Sequence, residues 1–335
     1  MEQTADRVAI YGWDETARPQ LEALERVAGL RAIAVGDRRP AALVRARTAT
    51  GLPCYQHVLE MLRGAEYDAA LINSAEGGAQ AAQAAAPRAA ALLLIGPQAD
   101  ASTLMEAAEA ALRYRVPLTV LRPRLQQAGL AFTLRLAGAD PGWRPQYLDI
   151  AMAGPAGALS LLRDAVAIAA RLTTETPTQV VSSYFGDDEE DATAFVVQLR
   201  YADGRLTSLR TREAPETHLS LFADTNLGTL ELRHAQAEST LAMAIRNGRR
   251  ETSTLPDGDT LALEAERART ATGAIATDAL FAPRESAILQ AIELSSANGY
   301  VVSVQERSSR ANLQLVESGT QAPTPRAGRV RLIGG

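Results

Sequence analysis

The chain has 335 residues, 34 basic and 39 acidic side chains and a net charge of -5, so no basic field draws it to a nucleic-acid backbone or an anionic membrane. The longest unbroken apolar run, Ala89 to Ile95, is far short of the roughly 20 residues of a membrane span. The opening MEQTADR lacks a basic stretch followed by an apolar one, so the expectation is a cytoplasmic protein with neither a membrane nor a nucleic-acid partner.

All 34 basic residues are arginine; the chain has no lysine. Schiff-base chemistry, a phosphate-binding G-K-[ST] loop and a lysine general acid are therefore excluded. One cysteine, Cys54, and three histidines, His57, His218 and His234, leave no internal disulfide and no zinc spacing, so no metal is expected.

The length predicts about two domains. Apolar runs at Val8 to Tyr11, Arg31 to Val35, Ala69 to Ile72, Ala91 to Ile95 and Leu118 to Leu121 alternate with helix-like stretches at Gln20 to Val27, Pro40 to Thr48, Val58 to Arg63, Ala79 to Ala86 and Ser102 to Tyr114. This βαβ rhythm predicts a Rossmann-type, doubly wound parallel sheet over residues 1–122. From Arg122 the turn-rich segments RPRL, GADPGWRPQ and AGPAG mark the crossing to a second domain over 123–306. That domain reads as α+β with a mostly antiparallel open sheet. It has a helix at Gly157 to Leu172 and strands at Ala194 to Tyr201 and Arg205 to Arg210 joined by Asp203-Gly204, a hairpin signal. Further strands are expected at His218 to Phe222, Gly228 to Arg233 and Ser239 to Ile245, then a helix at Glu285 to Ala297 and a strand at Tyr300 to Val304. The acidic run 187–191 reads as a solvated turn, and the polar stretch 307–335 as a flexible tail.

A dinucleotide fold needs glycines where its first strand turns into a helix, because the backbone must approach the pyrophosphate. Here G-x-G-x-x-G has become Gly12-Trp13-Asp14-Glu15-Thr16-Ala17. Only Gly12 survives, and Asp14 sets a negative charge where phosphates belong, a repulsion of about 1 kcal/mol per charge at 4 Å even with water-like screening. Asp37 stands at the end of the second strand, where an acid binds ribose hydroxyls, and Arg38-Arg39 could meet a 2′-phosphate. The competing reading is a strand-end loop of solvated charges. Trp13 would either cap an emptied cleft or stack on another ligand.

RVAIYGWDE, LRAIAVGDRRPAALVRARTATGLPCYQHVLEML, YDAALINSAEGGAQAAQAA and, in the second half, GALSLLRDAVAIAARLTTETPTQV, DATAFVVQLRYADGRL, LFADTNLGTLELR and AILQAIELSSANGYVVSV together resemble the Gfo/Idh/MocA family of NAD(P)-dependent sugar oxidoreductases over roughly residues 7 to 305. The resemblance implies NAD or NADP as cofactor, contacts from Gly12, Trp13, Asp37, Arg38, Ser74 and Pro97, and a homo-oligomer built on the second-domain sheets. The family's Glu-Lys-Pro motif falls on Ile95-Gly96-Pro97, and its catalytic Asp, His and Asp fall on Leu161, Ala165 and Ile168. A further family histidine corresponds to Ala79. A positioned acid or base contributes roughly 10²- to 10⁴-fold in rate, so the resemblance with these departures implies a scaffold without its dehydrogenase chemistry. Such a protein would bind, regulate or partner another, including an active homologue. The alternative is a divergent NAD(P)-dependent oxidoreductase acting on a sugar or polyol. Arg163 and Asp164 on the second-domain helix, Tyr114, and Arg122 and Arg124 at the crossover are its replacement candidates, the two crossover arginines as binders of an anionic ligand.

Overall fold

The computed structural model describes residues 7–14, 17–74, 76–139, 143–173, 175–186, 191–235, 238–245, 250–270 and 278–304. The chain divides into a first unit, residues 1–127 with 257–282, and a second, residues 128–256 with 283–335.

The first unit alternates strands and helices: β1 (Arg7–Tyr11), α1 (Ala17–Ala23), β2 (Arg31–Gly36), α2 (Pro40–Thr50), β3 (Cys54–Tyr55), α3 (Val58–Gly64), β4 (Ala69–Ile72), α4 (Gly78–Ala85), β5 (Ala91–Ile95), α5 (Ala101–Tyr114) and β6 (Leu118–Leu121). The six strands pair in the order β3-β2-β1-β4-β5-β6, and every pairing is parallel. This is the doubly wound order expected from the sequence. Helices on both faces explain why β4, β5 and β6 are buried at every position and read as unbroken apolar runs. Local signals set the helix limits. Pro40 opens α2 and left-handed Gly51 closes it, while the Asp100 carboxylate caps α5 by accepting from the Thr103 amide at 2.7 Å.

The second unit contains α6 (Ala128–Ala139), β7 (Pro145–Gly154), α7 (Ala158–Thr173), β8 (Gln179–Phe185), β9 (Ala194–Arg200), β10 (Leu206–Glu213), β11 (His218–Thr225), β12 (Gly228–Ala235), β13 (Glu238–Ile245) and β14 (Arg250–Pro256). After α8 (Thr260–Thr270) in the first unit, α9 (Asp278–Asn298) and β15 (Val302–Ser303) follow. The nine strands run β14-β13-β12-β11-β7-β10-β9-β8-β15, antiparallel except for β7 beside β10. Asp203-Gly204 does turn the β9–β10 hairpin, with Gly204 left-handed at φ +87°. The central strand β7 lies between two of the segments read as turns, GADPGWRPQ and AGPAG, where no strand was expected. Pro145 and Gly154 bound it, and Leu148, Ile150 and Met152 alternate inward between them. The acidic run at 187–190, the turn at Asn247-Gly248 and the stretch 307–335 lie outside the described residues.

The segment 257–282, expected in the second domain, belongs to the first unit. A charged cluster holds it there. Glu264 accepts from the Arg122 amide at 2.7 Å and Asp278 from the Val120 amide at 2.8 Å. Arg267 donates to Glu264 and Asp278, each at 2.6 Å, and to the Val120 carbonyl at 2.5 Å. Val120 lies on the open edge of β6 and Arg122 just beyond its end, so three side chains do there what a seventh strand would do. Ala265 and Ala268 of α8 also join the apolar cluster around Trp13, Leu24 and Val35. No helix among the described residues is long and apolar enough to cross a membrane.

Candidate functional site

In a doubly wound sheet, ligands bind beyond the carboxyl ends of the strands where the order reverses, here between β1 and β4. Gly12 follows β1 with φ +87°, and a Cβ there would run into the Asn73 carbonyl behind β4. Trp13 is buried and belongs to the apolar cluster with Leu24 and Val35. Asp14 accepts from the Asn73 side-chain amide at 3.1 Å.

Asp37, just beyond β2, is 3% exposed. Its Oδ2 accepts from the Trp13 amide at 2.8 Å and Arg39 Nη2 at 2.9 Å, and its Oδ1 from the Arg39 amide at 2.8 Å and Arg39 Nε at 3.1 Å. Burial pushes this carboxyl up, but the Arg39 guanidinium and the two amides outweigh burial and hold it below the usual aspartate range. The same pairing raises Arg39. Arg38 points elsewhere, donating to Gln80 at 2.8 Å with Glu76 at 3.9 Å. Ser74 bonds to the Glu76 carbonyl, as does the Tyr11 hydroxyl, whose pKa burial raises. Arg39 is thus the residue that sequence reasoning underweighted. Its signal was its place two positions after the acid, within reach of its own strand end.

Gly96 and Pro97 open a short 3-10 turn after β5. A Cβ on Gly96 would lie 2.6 Å from Arg122 Cγ and 2.9 Å from its Cζ. Arg122 is 1% exposed and among the largest fully buried side chains, not the solvated arginine that a junction suggests. Arg124 lies in the next short turn and is half-buried, while Tyr114 at the end of α5 is exposed. Ala79 lies in the first turn of α4.

In the second unit, Leu161, Ala165 and Ile168 are fully buried on α7, and Asp164 is buried beside them. His234 is buried with Nδ1 3.3 Å from the Ser239 hydroxyl, and His218 is exposed near Glu216. Among the described residues no group of three or more His, Cys, Asp or Glu is placed to hold a metal ion.

No family model and no curated protein matches the chain. Solved structures do match its fold. An oxidoreductase from Agrobacterium radiobacter, in complex with NAD+, L-tartaric acid and magnesium, is 16% identical with TM-score 0.70, over 90% of this chain and 98% of that one. UDP-N-acetylglucosamine 3-dehydrogenase from Acidithiobacillus ferrooxidans is 18% identical with TM-score 0.68, over 87% and 97%. The apo scyllo-inositol dehydrogenase from Lactobacillus casei is 13% identical with TM-score 0.69, over 90% and 99%. The fold is that of the Gfo/Idh/MocA-type oxidoreductases.

The polar groups at the ends of β1 and β2 in the first unit are bonded to one another. The acid that would take the ribose is bonded within the chain, the Trp13 amide is spent on it, and Asp14 faces the turn that would meet phosphate.

Proposed function

We propose that this chain is a Gfo/Idh/MocA-type scaffold without hydride-transfer chemistry, acting as a binding, regulatory or partner subunit. The observation that carries this reading is the chemistry of the aligned positions. Leu161, Ala165 and Ile168 are apolar and fully buried, and Gly96 lies under Arg122 where the family's lysine would start. None of these positions offers a proton. The test is spectrophotometric: NAD(P)H formation or loss with a panel of inositols, aldoses, tartrate and nucleotide sugars. The expected result is no protein-dependent turnover. Turnover that disappears on substituting Tyr114 or Arg124 refutes the reading.

The competing reading is a divergent NAD(P)-dependent oxidoreductase acting on a sugar or polyol. In its favour are the shared fold and Asp164, an acid buried on the same helix as the vanished groups. Self-association through the second sheet is part of the proposal. Tyr147, Val196 and Leu206 are exposed on it, and Tyr147 lies 6.3 Å from the Phe222 ring. A monomer in light scattering refutes that part.

A further inference from the structure

We propose that Arg39 fills the ribose-binding position of the first unit, so that this Rossmann-type unit is closed to nucleosides and dinucleotides by its own side chain, and that one substitution opens it. This rests on the reading of the first unit as a former dinucleotide-binding fold.

An ionised carboxylate offers about four acceptor sites. At Asp37 four donors take them: the Trp13 amide, the Arg39 amide, and Arg39 Nε and Nη2. No acceptor site is left for a hydroxyl pair. The two partners also differ in exposure. The Asp37 side chain is 4% exposed and that of Arg39 52%, so the guanidinium lies over the acid on the solvent side, where a ligand would arrive. Arg39 Nη2 also donates to the Trp13 carbonyl at 3.2 Å, which ties the cover to the β1 turn as well as to β2.

Exchange for a ribose is uphill on simple grounds. Bonds from a guanidinium to a carboxylate are roughly twice as strong as bonds from neutral donors. A ribose would replace the first kind with the second and leave a buried negative charge without its counter-ion. Neighbouring groups do not help: Arg38 is committed to Gln80 and Glu76, and Asp14 adds negative charge at the same turn. Closure therefore acts at the ribose, independently of the lost glycines at the phosphate turn.

That independence gives the test. Adenosine carries the diol and no phosphate, so Asp14 does not repel it. The two amides that hold Asp37 in place come from the main chain and survive loss of the Arg39 side chain. Adenosine and 2′-deoxyadenosine are titrated by calorimetry into the wild-type chain, Arg39→Ala, and the double variant Arg39→Ala/Asp37→Ala, with melting curves confirming that each is folded. Arg39→Gln replaces Arg39→Ala if the latter melts early. The expected result is adenosine binding tighter in the single variant than in wild type by about tenfold or more, which is about 1.4 kcal/mol. The gain should be absent with 2′-deoxyadenosine and in the double variant. A folded single variant that gains nothing overturns the proposal. So does a wild-type chain that binds adenosine with an affinity that the substitution leaves unchanged. These readouts are binding alone, so NAD(P)H turnover by the wild type would refute the proposed function separately.

Discussion

Replacing Arg267 by methionine removes a cation shared by two buried acids while keeping most of the side-chain volume. The Glu264 and Asp278 side chains are 4% and 3% exposed, and that of Arg267 is 32% exposed. Breaking a buried ion pair by deleting one partner costs about 3–5 kcal/mol, because the other charge stays buried. Solvent reaches a third of Arg267 and screens part of the interaction, which points to the low end, about 3 kcal/mol. The loss is local. Glu264 and Asp278 are also the acceptors for the Arg122 and Val120 amides, so the assay is hydrogen exchange at those amides. Exchange should quicken by roughly 100-fold, the equivalent of about 3 kcal/mol in the opening equilibrium. Adding Glu264→Gln and Asp278→Asn to Arg267→Met removes both stranded charges and should return most of the protection. The reasoning is refuted if Arg267→Met exchanges like wild type, or if the triple variant protects no better than the single one.

Gly96→Ala should destabilise the first unit by about 1–3 kcal/mol, the usual cost of overpacking. The added Cβ meets Arg122, a fully buried side chain with no room to retreat, and an unchanged melting temperature contradicts this. Asp37 supplies a pH dependence with a defined sign. Its folded-state pKa lies below the ordinary aspartate value, so its contribution is complete above about pH 4, the unfolded value, and is lost as the pH falls through the folded value. Acid unfolding followed by circular dichroism should show Asp37→Asn to be less stable than wild type at neutral pH, with the gap closing in acid. A gap that stays constant refutes the assignment.

Much of the first unit was legible because its signals are local. Five strands of four to six residues and the helices between them announce themselves by apolar runs, by Pro40 and by Gly51. The β9–β10 hairpin was legible for the same reason, through Asp203-Gly204. β7 was not, because its alternation of Leu148, Ile150 and Met152 is framed by Pro145 and Gly154, residues that also mark turns. The placement of α8 was illegible in principle. It depends on Asp278 meeting Val120 across 158 positions and Glu264 meeting Arg122 across 142, distances at which periodicity carries no information. At the candidate site, the spacing located Asp37 correctly as the acid at the strand end. What it could not show was that Arg39 turns back onto that acid, since a basic residue two positions later reads equally well as a phosphate contact or as a solvated charge.

The side-chain seal on β6 has a consequence for synthesis on the ribosome. The first unit is written in two pieces, with the whole of 128–256 between them. When residue 127 emerges, the strand that ends the parallel sheet still lacks partners for Val120 and Arg122, and they arrive only with Glu264, Arg267 and Asp278. The first-encoded unit is thus among the last to be finished, and a nascent chain stalled before residue 257 exposes an unpaired sheet edge, the kind of surface that holdase chaperones cover and aggregates extend.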